Sequence, residues 1–192
     1  MPITLVTPNL ALLPSYIAAL ERNWTRDNDQ DPAGAAAQLA RIHQDADAFL
    51  TSLSDLNGSG PFVELNDGSK VPRLPRARYW ISDGEFAGDL SLRWQKGTSE
   101  LPAYCLGHLG YVVVPWKRGG NYASQAILQL VPLAISHGLS WIDIAMGVDN
   151  VASRHTAEKA GAMLLRQFNA GPEADNQEAL LFRLGLNAEA LL

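Results

Sequence analysis

Apolar positions along this chain recur at two periods, and each change of period marks an element. Ile3 to Thr7 alternates as a short strand does, after which Leu10, Leu13, Ile17, Leu20 and Trp24 fall at helical spacing. Pro14 fits an early helical turn, where its missing N–H has no partner to lose. The polar cluster Arg26 to Pro32 interrupts the pattern, and Ala36, Leu39, Ala40, His43, Ala46 and Leu50 predict one second helix with a single apolar stripe. Gly, Pro, Asn and Asp crowd between Asn57 and Pro75, which predicts a loop or a loosely paired hairpin. Ala77 to Ser82, a turn at Asp83-Gly84 and a run from Phe86 to Trp94 read as an antiparallel pair.

The second half is more sharply punctuated. The apolar run Tyr111 to Val114 stops at Pro115, and the chain passes through Trp116, Lys117, Arg118, Gly119, Gly120 and Asn121 before a helical pattern begins at Tyr122. Ala123, Ala126, Ile127, Leu130 and Ala134 share one face of that helix, Pro132 predicts a kink, and His137-Gly138 predicts its stop. Ile142, Ile144 and Met146 alternate as a strand, Asn150 caps a further helix and Gly161 ends it. Ala162 to Phe168 and Glu178 to Leu184 read as the last strands.

The junction at Pro115 to Tyr122 is where chemistry enters. A helix opening directly after a glycine loop aims unpaired N–H groups and the positive end of its dipole at one point, with Lys117 and Arg118 alongside and small residues to permit close approach. The same residues also fit an ordinary strand-to-helix turn with solvated basic side chains. A phosphate loop of nucleotide-binding type is disfavoured, since no Gly-Lys is followed by Ser or Thr.

Arg118, two spacers, Asn121, one spacer and Ala123 resemble the Arg-x-x-Gly-x-Gly/Ala signature of the GNAT superfamily of N-acetyltransferases. Asp149, Asn150, Ser153, Arg154, Glu158, Lys159 and Gly161 resemble that superfamily's second block, in the right order and at the right spacing. The resemblance is specific from about Gly107 to Phe168, and Arg78 to Trp94 looks like the superfamily's central hairpin. One departure is that the central Gly of the loop signature is Asn121, a residue that tolerates positive φ better than most.

The resemblance implies an α/β fold of the α+β kind: one domain with a mixed, mostly antiparallel central sheet, a splayed strand pair and flanking helices. It implies acetyl-coenzyme A as co-substrate, with the pantetheine arm on Val112, Val113 and Val114. The pyrophosphate falls to Lys117, Arg118, Gly119, Gly120, Asn121, Tyr122 and Ala123, and Asn150 and Ser153 contact the cofactor from the second block. The implied reaction is direct attack of an amine on the thioester, without a covalent acyl-enzyme. The amine must first lose a proton, and His108, on the strand leading to the cofactor, is the candidate base; a core histidine is the competing reading. Tyr111 has the opposite facing parity. Where several relatives place a tyrosine acid, this chain has Ala157, so the thiolate takes a proton from Ser153, water or solvent, or leaves as it is. A backbone N–H near Val112 or Val113 can polarise the thioester carbonyl.

Composition narrows the setting. A chain of 192 residues, 47% hydrophobic, can bury one good core, and a net charge of −5 argues against a general nucleic-acid binder. A lone cysteine, Cys105, excludes an intrachain disulfide and a Cys-rich metal site; no metal is expected. No secretory leader pattern or bilayer-length apolar run is read, so no membrane partner is expected and a reducing cytoplasm is the default. The acceptor is a small-molecule or peptide amine of open identity, and a homodimer is plausible although no sequence feature warrants it. Asn121 and Ala157 also suit a silent relative that binds acyl-coenzyme A as a sensor or regulator.

Overall fold

Apolar stripes on short helices need a surface to cover, and in this protein strands supply it. The computed structural model describes residues 2–186. Its contacts gather into two compact units.

The first unit takes the chain up to Ser54, Ala77–Ser91 and Tyr111–Ala126. Strand β1 (Thr4–Val6) precedes helix α1 (Leu13–Leu20), with Pro14 in the first turn as its fixed φ favours. The single helix expected over Ala36 to Leu50 is two, α2 (Pro32–Gln44) and α3 (Ala46–Ser52). Asp45 divides them: its backbone is extended (φ −161°, ψ 100°) and its carboxylate accepts from the Ala48 amide at 2.9 Å. A short acidic side chain gains more by capping a new helix than by continuing an old one, so the stripe carried on while the backbone broke.

The Asn57 to Pro75 region contains a small hairpin, β2 (Val63–Glu64) with β3 (Lys70–Val71). Strands β4 (Arg76–Ser82), β5 (Phe86–Arg93) and β6 (Leu109–Val113) join β1 in a sheet of order β1-β4-β5-β6, which leaves β6 at an edge. A single 3-10 turn, Pro115–Lys117, stands between β6 and α4 (Tyr122–Ser136), which runs through Pro132 without a break in its assignment.

Aromatic residues form the first unit's core. The Tyr16 ring stacks on Trp80 with centroids 4.7 Å apart and meets Phe86 edge-on at 4.9 Å, and Trp24 and Phe49 complete the cluster. Asp89 is buried beside it, and a buried carboxylate needs charge partners; Arg26 at 2.6 Å and Arg78 at 3.5 Å supply them. Burial and the Asp89 charge push the Tyr16 hydroxyl far above its ordinary pKa, so it stays a donor, and it donates to Gln38.

The second unit takes Asp55–Arg76, Leu92–Gly110 and the chain from Ile127. Strands β7 (Trp141–Gly147), β8 (Met163–Asn169) and β9 (Glu178–Gly185) pair antiparallel in the order β7-β9-β8, with Ile144 opposite Phe182. Ile142, Ile144 and Met146 face inward as their alternation predicts. Helix α5 (Val151–Lys159) buries Ala157 and is capped by Asn150. β6 and β7 belong to separate sheets. Just before β6, the His108 amide donates to the Asp143 carbonyl of β7 at 2.7 Å.

Replacing Phe86 by Ala removes a wholly buried ring from the aromatic cluster, and a loss of about 3–5 kcal/mol in a urea melt is expected. A loss below about 1 kcal/mol would show that the cluster is not what holds this unit.

Candidate functional site

The loop after β6 is shaped by one carboxylate. Asp83, in the turn between β4 and β5, accepts from the Lys117 ammonium through Oδ1 at 2.7 Å and from the Tyr122 hydroxyl through Oδ2 at 2.7 Å. These two residues stand on either side of Arg118 to Asn121, so Asp83 brackets the loop. Burial alone would raise the Asp83 carboxyl, but the bonds from Lys117 and Tyr122 hold it below the ordinary carboxylate range. Lys117 also reaches Glu85 at 3.4 Å, and these carboxylates outweigh burial to keep its ammonium above its ordinary value.

Inside the bracket the backbone takes the conformations that small residues allow. Gly119 has φ +84° and Asn121 has φ +59°, so Asn121 occupies the left-handed region that its residue type tolerates. A Cβ on Gly120 would lie 2.5 Å from the Tyr122 ring, which therefore rests on this glycine. Among the described residues the amides of Gly119, Gly120, Tyr122, Ala123 and Ser124 donate to no protein acceptor, whereas Gln125 already bonds back to the Asn121 carbonyl at 3.1 Å. Five unspent N–H groups in six residues, at the positive end of a helix of 15 residues, make an anion cradle.

The two cations expected to serve that cradle are occupied. Lys117 is largely buried against Asp83 and Glu85, and Arg118 donates to the Val113 carbonyl at 3.0 Å and to Asp29 at 2.7 Å. The pair Arg118–Asp29 is 49% and 42% exposed, so it is weakly held, at roughly 0–1 kcal/mol. The three valines also divide. Val114 is wholly buried and its amide is spent on Ala87 at 3.0 Å, so strand alternation turns Val112 toward β5 as well and leaves the Val113 amide on the outer edge.

His108 has no exposed surface. Its Nδ1 accepts from the Asp143 amide at 2.9 Å, so the neutral ring carries its proton on Nε2, which is buried without a bond of good geometry although the Ser99 backbone bears on it. Burial pushes its pKa below the ordinary 6.5, against the pull of the Asp143 carboxylate. The Asp143 carboxylate is itself held by Arg183 in two bonds of 2.7 and 2.9 Å. In this structure neither ring nitrogen of His108 is exposed, and the ring ties β7 to the residue before β6.

In the second block, the Asn150 side chain accepts from the Ser153 amide at 3.0 Å, which is the capping role, and both residues stand at the opening of α5. Ala157 is wholly buried, so no side chain there can reach a thiolate. Sequence reading missed a cavity of about 390 Å³ in the second unit, lined by Arg93, Tyr104, Cys105, Leu109, Glu173 and Glu178 among others. Its lining is drawn from segments far apart in sequence, so no local motif announces it.

Comparison with solved structures decides the architecture. The chain superposes on the microcin C7 self-immunity acetyltransferase MccE, solved with acetyl-CoA and AMP, with a TM-score of 0.59 at 16% identity, covering 95% of this chain and 92% of that one. The fold is that of the GNAT acetyltransferases. A second GNAT-fold structure, RimL, the ribosomal L7/L12 alpha-N-protein acetyltransferase in complex with coenzyme A, gives a TM-score of 0.59 at 15% identity over 97% of this chain and 95% of its own. The acetyl transferase from Salmonella typhimurium that modifies the N-terminal serine of the same ribosomal protein gives 0.56 at 14% identity, over 96% and 95%. No protein-family model and no curated protein sequence matches the chain. In this GNAT fold the glycine loop, β6 from Tyr111 onward and the first turn of α4 lie within the first unit, and His108, Asn150 and Ser153 within the second.

Two outcomes are expected. Asp83→Asn should lower stability by about 3 kcal/mol in urea melts, because it strips a desolvated ammonium of its nearer partner; Lys117 and Asp83 side chains are only 14% and 7% exposed. His108 has a depressed folded pKa, so its contribution to stability is complete above 6.5 and is lost as pH falls through the folded value. Between pH 7.5 and 5.5 the native protein should therefore lose more stability than His108→Asn. His137 shifts in the same direction by burial and cancels in that difference. Parallel curves would remove His108 as the titrating group.

Proposed function

We propose that this protein is an acetyl-CoA-dependent N-acetyltransferase. The observation that carries the reading is the row of unspent amides at Gly119, Gly120, Tyr122, Ala123 and Ser124, held open by Asp83 at a helix N-terminus. A diphosphate carries the charge and the acceptor oxygens that such a row accommodates. The fold shared with acetyltransferases solved with acetyl-CoA or CoA supports the same ligand.

On this reading the diphosphate sits on the amides of Gly119 to Ser124, and exposed Arg118 exchanges Asp29 for it. Lys117 stays with Asp83 and acts on the ligand only through the loop it fixes. Asn121 keeps the turn, and Tyr122 and Ala123 contribute their amides. The pantetheine arm runs back along the outer edge of β6, where the Val113 amide is the donor, while Val112 and Val114 hold that edge to β5 and the core. Asn150 and Ser153 offer the second block's contacts from the start of α5.

The thioester is then attacked directly by a neutral amine. An alkyl ammonium with a reference pKa near 10.4 must give up a proton, and with no exposed nitrogen on His108 the proton goes to water. The coenzyme A thiolate, with a thiol pKa near 8.5, leaves without needing a side-chain acid, which fits Ala157. Asn121 and Ala157 also suit the second reading, an acyl-coenzyme A sensor without turnover, and release of free thiol across an amine panel separates the two.

Calorimetry with coenzyme A is the direct test of the cradle. Gly120→Val drives a branched side chain into the Tyr122 ring, so coenzyme A affinity should fall at least tenfold while the urea midpoint moves little. Unchanged affinity would place the diphosphate elsewhere.

A further inference from the structure

We propose that Trp116 and Arg22 bind the adenosine 3′-phosphate end of coenzyme A, the indole stacking on the purine and the guanidinium pairing with the 3′-phosphate; this rests on the diphosphate placement above. Both residues belong to the first unit, as the glycine loop does. Trp116 stands in the turn Pro115–Lys117 and is 44% exposed, whereas Trp24 and Trp80 have no exposed surface and Trp94 keeps 4%. An indole is a large apolar surface to leave in water. A planar ligand lying on it removes that surface from solvent.

The indole already carries one planar cation. Arg22, just past the end of α1, sets its guanidinium over the Trp116 ring with Cζ 4.4 Å from the centroid. The exposure of Trp116 is what remains with that group in place, so indole surface is left for a second planar partner. Among the described residues Arg22 forms no ion pair, whereas Arg26, Lys117 and Arg118 each meet a carboxylate. An exposed guanidinium with its donors unspent, held against an aromatic ring, is matched to a phosphate that stands next to a base.

Position makes coenzyme A the source of that base and phosphate. Trp116 precedes Gly119, the first unspent amide of the row, by three residues, so at 3.8 Å per residue their Cα atoms lie within about 11 Å of each other. Arg118, next to Gly119, meets Asp29 at 2.7 Å and so ties the loop to the segment that follows Arg22. Direction agrees as well. The pantetheine arm runs from Val113 back along β6, and the Pro115–Lys117 turn lies past the end of that strand. Adenosine is joined to the diphosphate opposite the pantetheine, so it leaves toward the turn that carries Trp116. The amide row reads a diphosphate, which many nucleotides share; Arg22 reads the 3′-phosphate, which sets coenzyme A apart from them.

The test uses the full-length protein with coenzyme A and 3′-dephospho-coenzyme A, compared by calorimetry. The native protein should bind coenzyme A at least fivefold more tightly than the dephospho form. Arg22→Gln should remove that preference by weakening coenzyme A at least fivefold while leaving the dephospho form unchanged. Trp116→Leu should weaken both ligands alike, at least fivefold, and Trp116→Phe should restore most of the loss, since a smaller ring still stacks. Coenzyme A should also quench the indole fluorescence of the native protein, and Trp116→Leu should abolish the quench. Equal affinity of the native protein for the two ligands, or affinities that neither Arg22→Gln nor Trp116→Leu changes, overturns this inference and leaves the diphosphate cradle standing. No binding of coenzyme A by the native protein overturns the acetyl-coenzyme A reading, and this inference with it.

Discussion

The Asp83 carboxylate sets the terms for the loop that follows β6. With one oxygen on Lys117 and the other on Tyr122, it fixes both ends of a stretch whose interior has left-handed residues and few internal bonds. A loop of that composition, left to itself, would sample many conformations and close onto its own amides. Held at both ends, it leaves those amides aimed outward. The electrostatics change with it: the lysine's charge is neutralised by Asp83 and Glu85, so attraction for an anion comes from oriented N–H groups and the helix dipole. Such dipoles are already aligned and lose nothing to reorganisation when a ligand arrives.

A second polar unit performs the corresponding task in the other half of the protein. His108 exchanges its backbone N–H and its ring nitrogen with Asp143, and Asp143 extends a carboxylate to Arg183, whose guanidinium lies 4.3 Å from the Trp141 ring centre. Nε2 of the histidine and Nε1 of Trp141 are buried without a partner, while His108 Nδ1, the Asp143 carboxylate and the Arg183 fork are matched, which lowers the cost of burying them. The clasp joins the residue before β6 to the middle of β7, although the two strands go on to different sheets. A neutral histidine is suited to that place, because a charged one would lose its acceptor nitrogen.

What could be read from the sequence was local. Alternation located β7 and β9, the Asn150 cap and the start of α4 at Tyr122 came out where short-range rules put them, and the tolerance of Asn for positive φ is met at Asn121. What could not be read has a different cause. Two partnerships could not be read locally: Lys117 meets Asp83, 34 positions away, and His108 meets Asp143, 35 positions on. The α2–α3 break was missed for a local reason, since an apolar stripe that runs past Asp45 outweighs a capping signal when periodicity is read first.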